Sequence, residues 1–301
     1  MKVSLIIPCY NEEGNVLPLY EAVRDAFEGA VPDYEFVFVN DGSTDGTAAA
    51  LAELVRTAEC PVKAVRFSRN YGKESAILAG LSEASGDCFT IMDGDLQQIP
   101  SVVVEMIRYL EEHPDCDCVT AFQEARNESP VMVFFKDHFY KIINRVSDTE
   151  FVNGASDFRT FRKNVRDAVL QLPETNRFSK GIFSWVGFST HYIPYTAEER
   201  LSGTTKWSFG KLWAYALSGI ISFTTVPLRL PLFLGAGTLA AACGAAVLQR
   251  GEKRKTLPAV LAVGSLQLFG IGVLGEYIAR VYQETKQRPV YLIKEILDNQ
   301  K

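Results

Sequence analysis

Val3-Ser4-Leu5-Ile6-Ile7-Pro8-Cys9-Tyr10-Asn11-Glu12 passes directly from an apolar, β-branched run into a polar, turn-forming tail. A strand covered on one face alternates apolar and polar residues, whereas this near-continuous run reads as a strand buried on both faces. Runs of the same kind recur at residues 36–39, 62–67 and 88–92. Residues 12–27, 44–56 and 73–84 between them carry helical patterns, and residues 101–112 follow Pro100 with another. Strand and helix in strict alternation make βαβ units, and hence a three-layer α/β domain with a mostly parallel sheet. Ligands of such sheets sit outside the carboxyl ends of the strands. The polar residues directly after each strand are therefore the candidate site.

Those residues are Pro8-Cys-Tyr10-Asn11-Glu12 after the first strand, Asn40-Asp41-Gly42-Ser43-Thr44-Asp45 after the second, and Asp93-Gly94-Asp95-Leu96-Gln97 after the fourth. Singly, each has a plain structural use: Ser43, Thr44 or Asp45 as a helix cap, Gly42 as a turn residue. Together they converge on one crevice. Asp93 and Asp95, one residue apart on a strand-end turn, suit a Mg²⁺ or Mn²⁺ that also takes oxygens from a diphosphate. Such an ion neutralises charge on a departing nucleoside diphosphate. Asp41 suits a base edge or a ribose hydroxyl.

Pro8-x-Tyr10-Asn11-Glu12, Asp41-Gly-Ser43-x-Asp45, Arg69-Asn70-x-Gly72-Lys73 and Asp93-x-Asp95-Leu96-Gln97 resemble the motifs of family 2 inverting glycosyltransferases with the GT-A fold. Asp157-Phe158-Arg159, Glu199-Arg200-x-x-Gly203-x-x-Lys206-Trp207 and Gly275-Glu276-Tyr277-Ile278-Ala279-Arg280 extend the likeness to the polyprenyl-phosphate glycosyltransferase branch. That branch includes dolichyl-phosphate mannose synthases and bactoprenol glucosyltransferases, and the resemblance covers nearly the whole chain. It implies that Pro8, Tyr10, Glu12, Asp41, Ser43 and Asp93 line a nucleotide pocket. It implies that Asp93 and Asp95 hold the metal, with Gln97 serving the diphosphate. Arg200 and Lys206 hold phosphate groups, and Asp157 is the catalytic carboxylate with Asp95 beside it. Two positions depart from the pattern. Asn40 replaces the first Asp of the commoner Asp-Asp-Gly-Ser, and Gln123 stands where a first arginine is expected, leaving Arg126 for the lipid phosphate.

The implied chemistry also follows from the groups themselves. A phosphate monoester with a second pKa near 6 is largely dianionic at pH 7 and already a nucleophile. It needs cationic positioning, which Arg126, Arg159, Arg200 and Lys206 supply through charge-assisted hydrogen bonds. Two readings of Asp157 stand at this point, one as a true base and one as an orienting group for Arg159 or the acceptor. A single in-line displacement would invert the anomeric centre.

Charge divides the 301 residues: 21 Lys+Arg against 31 Asp+Glu in residues 1–227, and 10 against 5 in residues 228–301. An acidic domain with a basic, apolar tail argues against nucleic acid and fits attachment to an anionic bilayer. Residues 228–248 and 257–278 are apolar, about the length of a membrane span, and rich in Gly and Ala that suit a packed hairpin. The alternative is a buried helix pair of a soluble domain. Residues 207–227, with Trp207, Trp213 and Tyr215, read as an interface helix. Residues 130–146 read as an amphipathic helix, packed on the domain or touching the membrane. The expected division is a cytoplasmic catalytic domain 1–206, an interface helix 207–227, two spans within 228–280 and a cytoplasmic tail 281–301. Residues 3–8 are too short for the apolar core of a signal peptide, so the catalytic half is expected to face the cytoplasm at the inner membrane. The basic loop 250–255 would then lie outside, against the positive-inside tendency.

Six cysteines and three histidines show no zinc spacing. Gly270-x-Gly272-x-x-Gly275 follows no strand and reads as helix packing rather than a dinucleotide site. A processive polysaccharide synthase would add Gln-x-x-Arg-Trp and further spans, and both are missing from the sequence. A nucleotidyltransferase would carry a Gly-rich phosphate loop after the first strand. A catalytically inactive scaffold of the same fold is the alternative of another class, and the intact Asp93-x-Asp95 pair opposes it. The expected partners are a nucleotide sugar (UDP-sugar and glucose favoured), polyprenyl phosphate and the lipid bilayer. The small-residue faces permit a homo-oligomer.

Overall fold

The computed structural model describes residues 1–123, 144, 155–196, 224–248 and 256–300. The four expected strands are present as β1 (Val3–Cys9), β2 (Tyr34–Asn40), β3 (Val62–Phe67) and β4 (Cys88–Ile91). Between and after them run α1 (Val16–Phe27), α2 (Thr47–Thr57), α3 (Lys73–Glu83) and α4 (Pro100–Glu112). Helix α1 starts four residues later than the apolar pattern suggests. The amides of Glu12 and Glu13 are instead taken by the first residue of α2 and the loop before it, donating to Thr47 Oγ1 at 2.9 Å and Asp45 Oδ2 at 3.2 Å.

The sheet is larger than the apolar runs announce. It adds β5 (Cys118–Gln123), β6 (Ala155–Arg162), β7 (Thr190–Tyr195) and β8 (Ile293–Asp298), in the order β7-β5-β6-β4-β1-β2-β3-β8. Helices α5 (Lys163–Gln171) and α6 (Ser179–Trp185) lie between β6 and β7. β1 pairs in parallel with β2 and β4, and β2 with β3. The chain thus leaves β1 in one direction for β2 and β3, then returns to its other side for β4. That reversal opens a crevice at the carboxyl ends of β1 and β4.

Alternation along the strands divides the core in two. Leu5, Ile7, Phe36 and Phe38 join the cluster on one face, while Ile6, Val37 and Val39 join the cluster on the other. Both faces are covered, which is why the sequence shows no polar alternation there.

The two apolar stretches form α7 (Val226–Leu248) and α8 (Thr256–Thr285), which pack on each other. The Tyr277 hydroxyl donates to the Thr224 carbonyl at 2.6 Å. A Cβ on Gly270 would come within 2.9 Å of Pro231 Cβ, so the glycine of the declined dinucleotide pattern serves helix packing. Among the described residues no helix is long and apolar enough to cross a membrane; several side chains of both helices lie outside that set.

The tail 281–301, expected as a segment apart from the catalytic domain, supplies β8. It pairs antiparallel with β3, Lys63 opposite Asp298 and Phe67 opposite Ile293. The expected helices at 130–146 and 207–227 fall largely or wholly outside the described residues.

Candidate active site

The loops after β1 and β2 hold each other through side chains. Asn11 N–H donates to Ser43 Oγ at 3.0 Å, and Thr44 N–H returns to Asn11 Oδ1 at 2.8 Å. Asn11 has φ of 53°, a left-handed conformation that asparagine accepts more readily than most residues. Asn15 Nδ2 donates to Glu12 Oε2 at 2.6 Å. Pro8 is half-buried at the strand end, and Tyr10 is exposed at the mouth of the crevice.

Asp41 is buried, and both its oxygens face the loop after β3. They accept the amides of Tyr71 at 2.6 Å and Gly72 at 2.9 Å. Burial raises its carboxyl pKa, and those two amides oppose the rise. Asp41 therefore anchors the 69–72 loop, and any nucleotide contact is made alongside those bonds. Gly42, at φ 62°, lies against the Arg69–Asn70 peptide, where a side chain has no room.

After β4, Asp93 N–H donates to Gln98 Oε1 at 2.8 Å, and Gln97 N–H donates to Asp95 Oδ1 at 3.2 Å. Leu96 between them holds φ at 60°, backbone strain of the kind that collects in ligand-binding loops. The strand β6 runs antiparallel to β4 with Arg159 opposite Ile91. Beyond the end of that ladder stand Asp93, two residues after Ile91, and Asp157, two residues before Arg159. The structure joins them through Lys73, the first residue of α3. Its Nζ lies 2.6 Å from Asp93 Oδ1 and 3.1 Å from Asp157 Oδ2.

Around Asp157 the charges are dense. Burial would raise its pKa, but Lys73, Lys180 and Arg159 override that and hold it at about 2. Burial lowers the Lys180 pKa, opposed by Asp157. Lys73 is pushed up, since Asp93 and Asp157 outweigh its burial. Glu74 is raised to about 7 by burial and by the Asp157 charge, against the bonds from Ser179. Arg159 is 4% exposed and lies over the Phe183 ring at 4.2 Å, with Nη2 donating to Ser156 O at 2.8 Å. Its Nε and Asp157 Oδ1 are buried without a hydrogen-bond partner among the described residues.

The structure thus brings together Pro8, Tyr10, Glu12, Asp41, Ser43, Asp93, Asp95, Gln97, Asp157 and Arg159 at one end of the sheet. Arg126, Arg200 and Lys206 lie outside the described residues. Lys73, Glu74, Ser179 and Lys180 belong to the same cluster but were not among the candidates. Lys73 closes the Arg69-Asn70-x-Gly72-Lys73 motif at a helix start directly after a strand, which could have marked it. Ser179 and Lys180 carry no comparable signal. Among the described residues no group of three or more His, Cys, Asp or Glu side chains is placed to hold a metal. Asp93 and Asp95 nevertheless fit a hard divalent cation that completes its shell with diphosphate oxygens and water, because such ions are commonly held by one or two carboxylates.

A mostly parallel sheet with a carboxylate turn at its switch point puts the candidate site at the strand ends, and comparison with known proteins identifies the chain as a transferase. The pattern of Glycosyl transferase family 2 matches residues 4–170, and the chain belongs to that family. It is 38% identical to the bactoprenol glucosyl transferase of Shigella phage SfV, over 98% of this chain and 98% of that one. It is 37% identical to the prophage bactoprenol glucosyl transferase homolog of Escherichia coli K12, over 98% of this chain and 99% of that one. Among solved structures, glucosyl-3-phosphoglycerate synthase from Mycobacterium tuberculosis with Mn²⁺, UDP and phosphoglyceric acid superposes with a TM-score of 0.50 at 16% identity, over 73% of this chain and 76% of that one. This likeness is one of fold, and the protein is a GT-A glycosyltransferase.

Proposed function

We propose that this glycosyltransferase moves a sugar, glucose by preference, from a UDP-sugar to polyprenyl (undecaprenyl) phosphate at the cytoplasmic face of the inner membrane. The lipid-linked sugar would serve modification of cell-envelope glycans. The observation that carries this reading is the Asp93–Lys73–Asp157 bridge beside the Asp93-x-Asp95 turn, with Arg159 and Lys180 around it. A carboxylate turn for a nucleoside diphosphate thereby adjoins a cationic seat for a second phosphate.

An acceptor phosphate that arrives as a dianion brings no proton to remove. Its oxygen bonds to the anomeric carbon as the bond to the nucleoside diphosphate breaks, the electron pair leaves with the diphosphate, and the centre inverts. Asp157, held at about 2, is a weak base with several cations around it. Its role is therefore to place Lys73, Lys180 and Arg159 rather than to take a proton. Arg126, Arg200 and Lys206 are proposed as further phosphate contacts, and Pro8, Tyr10, Glu12, Ser43 and Gln97 as donor contacts. A Mg²⁺ or Mn²⁺ on Asp93 and Asp95 would neutralise charge on the departing diphosphate.

The membrane seat is supported by the apolar side chains that α7 and α8 leave uncovered, among them Phe233, Leu268, Ile271 and Ile278. Exposed apolar surface of this extent marks an interaction with lipid or protein. The return of β8 to the sheet requires both ends of the hairpin to lie on the catalytic side. That supports two spans.

The test uses membranes containing the full chain, undecaprenyl phosphate and labelled UDP- and GDP-sugars, with Mg²⁺, with EDTA, and with Asp95→Ala. Label should enter the lipid fraction from one donor and vanish in both controls. NMR of the product should show the inverted anomer. No transfer from any donor by folded, membrane-bound protein would overturn lipid phosphate as the acceptor.

A further inference from the structure

Helix α8 does not end with its apolar stretch. It continues through Arg280 to Thr285, and its last turn reaches the loop between α5 and α6. There Glu284 receives three donors. Thr175 N–H donates to Oε1 and Thr175 Oγ1–H to Oε2, both at 2.9 Å, and Asn176 N–H approaches Oε1 at 3.4 Å. Asn176 Nδ2 donates to the neighbouring Gln283 at 2.7 Å. A carboxylate in the last turn of a helix faces the negative end of the helix dipole. Here Glu174 also lies close enough for the Glu284 charge to bear on it. A group placed against two local electrostatic preferences, yet bonded on both oxygens, marks a position set by something other than helix stability.

The next residues of the loop lead into the catalytic cluster. Arg177 donates to the carbonyls of Leu172 at 2.9 Å and Val169 at 3.1 Å, closing the loop onto the end of α5. Ser179 then bonds Glu74 through both its amide, at 2.9 Å, and its hydroxyl. Lys180 follows, and its charge bears on Asp157. Only Asn176, Arg177 and Phe178 separate the Thr175 contact from Ser179.

We infer that Glu284 is a positioning residue: by clamping Thr175 and Asn176 it fixes the start of α6, and so holds Lys180 and the Ser179–Glu74 contact in place against Asp157 and Lys73. This inference rests on the proposed transfer reaction for its consequence in rate, and on geometry for the clamp itself. The helix that leaves the apolar hairpin is thereby tied to the catalytic cations. A hairpin that tilts or slides carries Glu284 with it.

The test compares Glu284→Ala and Glu284→Gln in the full chain in lipid nanodiscs. Backbone amide exchange of residues 175–182, read without substrate, should quicken at least about tenfold in the Ala variant. The Gln variant keeps an acceptor for the Thr175 amide and should stay near wild type. In the transfer assay, kcat should fall about tenfold in Glu284→Ala with the donor KM within about twofold, and Gln should recover most of the rate. Unchanged exchange at 179–182 in the Ala variant overturns the clamp. Faster exchange with unchanged kcat overturns its role in positioning the site. A wild-type chain inactive with every donor counts against the transfer reaction, and the clamp is then decided by the exchange at 179–182 alone.

Discussion

Replacing Lys73 by Met keeps a stem of similar length and removes the cation shared by Asp93 and Asp157. The two contacts of 2.6 and 3.1 Å place the carboxylates no more than about 6 Å apart. At an effective dielectric constant near 20, two unit charges at that distance repel by about 3 kcal/mol. The Lys73 side chain is 37% exposed and that of Asp93 is 32% exposed, so solvent screening reduces the cost to about 1–2 kcal/mol. The metal-free Lys73→Met protein should therefore unfold a few degrees below wild type at pH 7.5. Mn²⁺ should then stabilise the variant more than wild type, because the added cation replaces a missing charge rather than competing with Lys73 for Asp93. Thermal unfolding of the purified full chain, with and without Mn²⁺, reads both effects. Equal stability without metal, or equal gains with it, would refute the bridge as an electrostatic device.

Gly42→Ala should destabilise the protein by about 2–3 kcal/mol and weaken UDP binding, since a Cβ at this positive φ meets the Arg69–Asn70 peptide; denaturant unfolding and calorimetric titration with UDP check it. At the opposite end of the strands, burial pulls Glu35 up, but Lys2, Ser4 and Ser85 overcome it and hold its carboxyl at about 2. That contribution is present above the unfolded value of 4.5 and is lost as pH falls toward 2. Glu35→Gln should thus cost about 2 kcal/mol at pH 7 and progressively less in acid, and a difference that stays constant down to pH 3 would sink the assignment. Glu74 has the opposite sign. Raised to about 7, its contribution is full below 4.5 and is lost as pH climbs through 7. Glu74→Gln should flatten that decline in chemical denaturation run between pH 4.5 and 8, and an unchanged slope would exclude it.

The first four strands were legible because burial on both faces leaves a near-continuous apolar run, as in Val3 to Ile7 with Ser4 its one polar residue. The outer strands were not. β6, Ala155-Ser-Asp-Phe-Arg-Thr-Phe-Arg, and β8, Ile293-Lys-Glu-Ile-Leu-Asp, carry charged residues that mask a short apolar pattern, and their pairing depends on partners far away in sequence. The strand-end carboxylates were readable for a similar reason: topology alone brings the ends of β1, β2 and β4 together. What spacing did not reveal was how the residues divide their work. Asp41 looks like a ligand contact in the sequence and anchors the 69–72 loop in the fold. Lys180 looks like any surface lysine, and only the packing of α6 against β6 brings its charge to Asp157.

β8 has a consequence for the order in which the molecule is made. Val62 N–H donates to Asn299 Oδ1 at 2.8 Å, across 237 residues of chain. This strand leaves the ribosome only after both helices of the hairpin. Until then β3 is an open edge, able to pair with another chain. A nascent domain would therefore remain unclosed while the hairpin is made, and β8 would seal the sheet only afterwards. A fragment ending before the hairpin would keep that edge open permanently, so aggregation is its expected fate however completely it retains the catalytic residues.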